Sequence, residues 1–221
     1  MFIGHFAVAL GAKKVAPKVS LGTLFLSATF IDLLWPLFLL IGIEHVRIDP
    51  GNTAVTPLDF YDYPISHSLL AVLGWSMGFG LVYYFLRRKK RDAVVLGLGV
   101  LSHWILDLLT HRPDLPLLPW DMTRVGFGLW NSLPMTVIIE GGLFCLGLYL
   151  YLGTTSAKDR VGTWSLWAWV IFIASVYGIN LLGPPPPSEQ AIAFGGLAAW
   201  LFIPWAFWID RHRQPRTSVH V

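Results

Sequence analysis

Residues 93–111 read AVVLGLGVLSHWILDLLTH, an apolar run of spanning length that carries His103, Asp107 and His111 at successive i, i+4 steps. In a helix those steps set the three side chains along one stripe. Ionisable groups inside a membrane are costly and face the protein interior or a water-filled cavity, so such a stripe marks a site. Asp32 and Glu140 lie in other apolar runs, and His5 and His67 are two further histidines at or near the ends of such runs.

Working outward, the composition agrees with a membrane setting. The chain is 55% hydrophobic and 13% charged, about half the ~25% charged content of soluble domains. At 221 residues it is expected to form a single integral-membrane domain over 1–221. Cys145 stands alone, which excludes an intramolecular disulfide or a cysteine cluster for zinc or iron–sulfur.

Six runs have spanning length: 19–43, 66–86, 93–111, 132–152, 163–183 and 190–209. Residues 2–12 (FIGHFAVALGA) are too short to span, and Lys13 and Lys14 follow rather than precede them, unlike a cleaved signal peptide. They predict a short helix that dips into the bundle. The expected fold is an all-α polytopic membrane bundle of about six transmembrane helices plus this N-terminal helix. Of the 16 Lys and Arg, all but Arg47, Arg112 and Arg124 fall before the first run or after the second, fourth and sixth. The positive-inside rule then places the loop before the first span and the C-terminal tail, 212–221, in the cytoplasm. The connections 44–65 and 112–131 fall outside, where Pro57, Pro64, Pro113, Pro116 and Pro119 argue against regular helix. Pro184 to Pro187 make a stiff external hairpin.

Depth brings the polar residues together. Asp32 lies ~20 Å along its helix from Val19, and His103 lies ~12 Å below His111, at ~1.5 Å per residue. Glu140 falls at a depth similar to that of His103, and His67 begins the second span from outside. His5 must enter from the other face. His and carboxylate donors without thiolate suit a divalent metal: zinc first, with manganese or iron as alternatives. The candidate metal ligands are His5, Asp32, His67, His103, Asp107, His111 and Glu140. Asp32 and Glu140 are the candidate catalytic acids, able to accept a proton from an activated water. A histidine–carboxylate pair that only ties helices together is the alternative reading of the stripe. Glu44, Asp49, Asp59, Asp62 and Asp114 read as loop-capping or solvated, and His212 and His220 as parts of the basic tail. Trp35, Trp104 and Trp130 could line an apolar pocket.

At these residues the chain resembles a family of bacterial membrane-bound, metal-dependent hydrolases described as LexA-binding and inner-membrane-associated. The pieces that carry the resemblance are Gly4-His5, Asp32, Ser66-His67-Ser68, Ser102-His103-x-x-x-Asp107 and Thr110-His111. It covers about residues 1–150, making 1–152 a metal-site core and 163–211 an accessory helix pair. That family is distantly similar to zinc-dependent phospholipase C and the single-strand-specific zinc nucleases, all-helical enzymes with a His/Asp trinuclear zinc site. His5, Asp32, His67, His103 and Asp107 match in type and order, His111 and Glu140 more loosely. Two departures stand out: the N-terminal Trp ligand is replaced by Met1-Phe2, and Thr136 occupies the place of the His in a His-x-x-x-Glu pair. A mono- or dinuclear site is therefore expected.

The resemblance implies a bacterial inner-membrane hydrolase of a phosphoester or lipid-type substrate, with membrane lipids as its surroundings. The Lys and Arg residues follow the topology, so no nucleic-acid partner is expected. A proton- or metal-ion-coupled transporter and a structural protein with a metal-stapled core are the alternatives. No His-Glu-x-x-His helix, glycine-rich phosphate loop or serine nucleophile elbow is present.

Overall fold

The computed structural model describes residues 1–216; positions 217–221 of the expected tail, with His220, lie outside the described residues. The chain is a helical bundle. Among the described residues, five helices are long and apolar enough to cross a membrane, or six spans if a bent pair is counted as one. The straight spans are α5 (Leu69–Arg87), α6 (Lys90–Thr110), α7 (Leu133–Thr154), α8 (Arg160–Leu182) and the composite stretch Glu189–Arg211. In the composite, α9 (Glu189–Leu197) and α10 (Phe202–Arg211) join through one 3-10 turn.

Residues 19–43, expected as one helix, are two: α2 (Leu21–Ala28) and α3 (Phe30–Leu40), bent by 57°. The break falls at Thr29, whose hydroxyl donates to the Phe25 carbonyl at 2.8 Å. Such back-bonding favours a bend. About two turns further on, Pro36 has no N–H to give the carbonyl of Asp32. The bend starts a new helix just before Asp32 and turns that residue towards the bundle interior.

The short N-terminal helix is present as α1 (Ile3–Val15), packed between α2, α6 and α7. It does dip into the bundle: His5 and Leu10 are buried. Close approach to α7 rests on Gly147, where a Cβ would come within 2.4 Å of the Ala7 carbonyl oxygen. The first N–H groups of a helix lack intrahelical partners, a serious cost without water. Glu140 of α7 meets that need, its Oε2 accepting the N–H of Phe2 at 2.9 Å and of Ile3 at 3.1 Å.

Helix α6 is the central element. Half of its apolar window is buried, against 6% for α5 and 28% for each other straight span. Its small residues admit the neighbours: a Cβ on Gly99 would strike Ser27 of α2, and one on Gly97 would crowd the Ser76 carbonyl of α5. The exposed apolar face of α5 (Met77, Leu81, Val82, Phe85) is what a lipid-facing helix presents.

Two apolar cores flank α6. One packs Phe6, Leu10, Phe25, Phe144 and Trp169. The other packs Ile31, Trp35, Phe60, Tyr63, Trp104 and Leu115. Its loop residues come from segments whose prolines argued against helix. There the chain forms short antiparallel pairs, β1 (His45–Ile48) with β2 (Leu58–Asp62) and β3 (Leu115–Pro116) with β4 (Arg124–Val125). A third pair, β5 (Thr155–Ala157) with β6 (Arg213–Pro215), ties the end of the bundle to the loop after α7. His67 does not begin the second span. It closes a one-turn helix, α4 (Pro64–His67), and Ser68 caps α5 through the Ala71 N–H.

Candidate metal centre

The polar cluster sits between the two cores, where α1, α3, α4 and α6 meet. His5 lies between Ile3 and Phe6 of the first core, and His103 lies between Val100 and Trp104 of the second. His103 and Asp107 are one helical turn apart on the buried face of α6, with His103 Nε2 at 3.1 Å from Asp107 Oδ2. The same nitrogen lies 3.4 Å from Asp32 Oδ1. His5 Nε2 lies 3.2 Å from Asp107 Oδ1 and 3.9 Å from Asp32 Oδ2. His67 Nε2 lies 3.7 Å from Asp32 Oδ1 and 3.9 Å from Asp107 Oδ2. The His5 and His103 rings stack nearly parallel, 3.7 Å apart, which lines up their inward nitrogens.

Two sets of ligand atoms therefore form, His5–His103–Asp107 and Asp32–His67–His103, each with all its atoms within 4.8 Å of one another. Each carboxylate turns one oxygen towards His5 and the other towards the His67–His103 side or its neighbour. The separations of 3.1–3.9 Å bracket the spacing of two donors on one tetrahedral zinc ion, ~3.3–3.6 Å for bonds of 2.0–2.2 Å. Both ring nitrogens of His5, and Nε2 of His103, are buried without a hydrogen-bond partner of good geometry among the described residues. A buried donor or acceptor left in that state is costly, and a cation among them would relieve it.

The cluster is closed on most sides. His5, His103 and Asp107 are almost wholly buried, whereas the Asp32 side chain keeps 41% of its surface accessible. Asp32 is thus the open side. His103 Nδ1 points away from the cluster to the Ala28 carbonyl at 3.2 Å, an arrangement that holds the ring with Nε2 inward.

The structure brings together His5, Asp32, His67, His103 and Asp107. It does not bring in the other two candidates. Helix α6 ends at Thr110, so the stripe stops before His111, whose Nδ1 turns to Asp114 at 2.9 Å. His111 packs on Trp130 and Phe60 in a network of loop residues. There Arg112 bridges Asp59 and Asp114, Arg47 pairs with Asp59, and Tyr63 reaches Asp114. Burial, with Asp114 beside it, pushes the Tyr63 phenol well above its usual value and keeps it a donor. Glu140 is committed to the start of α1 and lies outside both ligand sets. Trp35 and Trp104 are buried in the second core, and only Trp130 stays partly open.

Two participants were not read from the sequence. The α-amino group of Met1 lies against Asp107 Oδ1 at 2.5 Å, placed there by the inward course of α1. Ser66 links Glu44 to His67, with Oγ at 2.5 Å from Glu44 Oε2 and 2.6 Å from His67 Nδ1. The one signal was the flanking of His67 by Ser66 and Ser68, because Glu44 is remote in sequence.

Fold and cluster together define a multi-pass membrane protein with a buried histidine–carboxylate centre between its helices. The chain belongs to the family described as YdjM inner membrane protein, whose model matches residues 2–183 and so includes every residue of the cluster except the Met1 amine. It is a multi-pass inner-membrane protein. No curated protein and no solved structure matches the chain.

Proposed function

We propose that this protein is a membrane-embedded, metal-dependent hydrolase of a phosphoester, with a lipid or lipid-linked substrate. The observation that carries the reading is the convergence of three imidazole nitrogens and two carboxylates, from four separate helices, at spacings that fit tetrahedral coordination. His5, Asp32, His67, His103 and Asp107 would hold one or two divalent cations, zinc in the first place, with one carboxylate in each set and His103 common to both. Such ions polarise a phosphoryl oxygen and activate water at neutral pH. Asp32 is the acid best placed to accept a proton, because it faces the accessible side while Glu140 is occupied by two backbone N–H groups. The likeness to phospholipase C-type zinc enzymes noted in the sequence agrees with this chemistry.

A transporter fits less well. An ion leaving the cluster along α1 and α2 would have to pass the first core, where Phe6, Leu10, Leu24, Phe25 and Trp169 are buried. A metal-stapled structural core is the second reading, favoured by the near-complete burial of His5, His103 and Asp107.

The test is turnover. The purified full chain, loaded with zinc or manganese, is incubated with mixed phospholipid vesicles and with a chromogenic phosphodiester, and phosphoester cleavage is followed. Cleavage that stops on chelation, returns on metal addition and is lost in Asp32→Asn supports the hydrolase. A metal-loaded protein that cleaves neither substrate class, and that unfolds when stripped, supports the structural reading.

A further inference from the structure

We infer that Glu44 and Ser66 form a polarity-setting chain that fixes which nitrogen of His67 carries the proton, and so leaves the cluster-facing one free to donate its lone pair; the inference rests on the metal-site reading. Glu44 is fully buried at the end of the α3–β1 connection, and its carboxylate meets three donors. Oε1 accepts the N–H of Ile65 and of Ser66, each at 2.7 Å, and Oε2 lies 2.5 Å from the Ser66 hydroxyl. The Ser66 hydroxyl donates to Glu44 Oε2, which commits its single hydrogen there. Ser66 Oγ then has only lone pairs for His67 Nδ1 at 2.6 Å, and that nitrogen must carry the proton. The other nitrogen, Nε2, is left as the lone-pair donor facing Asp32 and Asp107. Ligating histidines are commonly held in this way by the partner of their second nitrogen. Glu44 and Ser66 are thus positioning residues that act through His67.

A plain capping role for Glu44 predicts something different, and Glu44→Gln separates the two. The glutamine oxygen can still accept both backbone N–H groups, so α4 stays capped. Its amide now donates to Ser66, which turns the serine hydrogen towards His67 Nδ1 and moves the ring proton to Nε2. The experiment uses the full chain in detergent, metal-free, labelled with 15N-histidine and kept above pH 8, with His67 signals assigned by their loss in His67→Asn. The wild type and Ser66→Thr are expected to show the Nδ1–H tautomer, and Glu44→Gln the Nε2–H tautomer. Titration with zinc alone is expected to show ~10–100-fold weaker binding in Glu44→Gln and near wild-type binding in Ser66→Thr. The same tautomer in wild type and Glu44→Gln, or an Nε2–H or doubly protonated ring in the wild type, would overturn the inference. A wild type that shows the expected tautomer yet binds no zinc counts against the metal reading alone.

Discussion

His103 Nε2 is the atom that joins the two carboxylates of the cluster, at 3.1 Å from Asp107 and 3.4 Å from Asp32. Asp107 in turn is the acceptor nearest both His5 and His103. Asp107→Ala should therefore abolish metal retention and destabilise the apo protein, since each buried polar group left without its partner costs about 1–3 kcal/mol. His111→Ala is expected to behave otherwise. Its imidazole serves Asp114 and the aromatic packing of Trp130, so it should lower thermal stability while leaving metal content at the wild-type level. Inductively coupled plasma analysis beside a thermal melt distinguishes the two variants. Loss of metal in His111→Ala would place that residue in the centre after all. Residue types and spacing made His103 and Asp107 legible, because i, i+4 on a buried helix leaves little choice of direction. They misplaced His111, because the helix end falls one residue earlier than the periodicity suggests. They could not show Glu44 beside Ser66, a contact made across a loop by tertiary folding.

Helix α1 delivers His5 only because α7 lets it approach. Gly147→Ala should push α1 away from α7, since the added Cβ would lie 2.4 Å from the Ala7 carbonyl oxygen and backbone cannot yield as a side chain can. Overpacking of this kind costs about 1–3 kcal/mol. The expected outcome is a lower melting temperature together with weaker metal retention. Gly142→Ala, on the same helix with open space around it, should change neither. Equal behaviour of the two variants would refute the role given to the α1–α7 contact. Hydropathy made the straight spans legible, whereas the caps that start α5, α8 and α9, the side chains of Ser68, Asp159 and Ser188, were not read from the sequence. The bend in the first long run was less legible. Pro36 was visible, yet the break falls at Thr29, where the hydroxyl bonds back to Phe25 and tertiary packing decides the direction.

At the scale of the whole molecule, the arrangement works as a layered bundle. Helix α6 is central, α5 faces lipid, and the cluster is held between an apolar core that closes one side and a loop-built core that roofs the other. The charge asymmetry predicts a membrane orientation. In a background lacking Cys145, a cysteine at Lys89 or Lys158 should be shielded from an impermeant thiol reagent in intact cells, and one at Asn52 or Met122 should react. Reaction at Lys89 with protection at Asn52 would invert the topology. The central claim is that the cluster holds a divalent cation, and the most direct measurement is the metal content of the detergent-purified full chain beside His103→Ala and Asp107→Ala. One or two equivalents of zinc or manganese in the wild type, lost in both folded variants, is the predicted result. A folded wild type that carries no metal and takes up none from added zinc or manganese would contradict it.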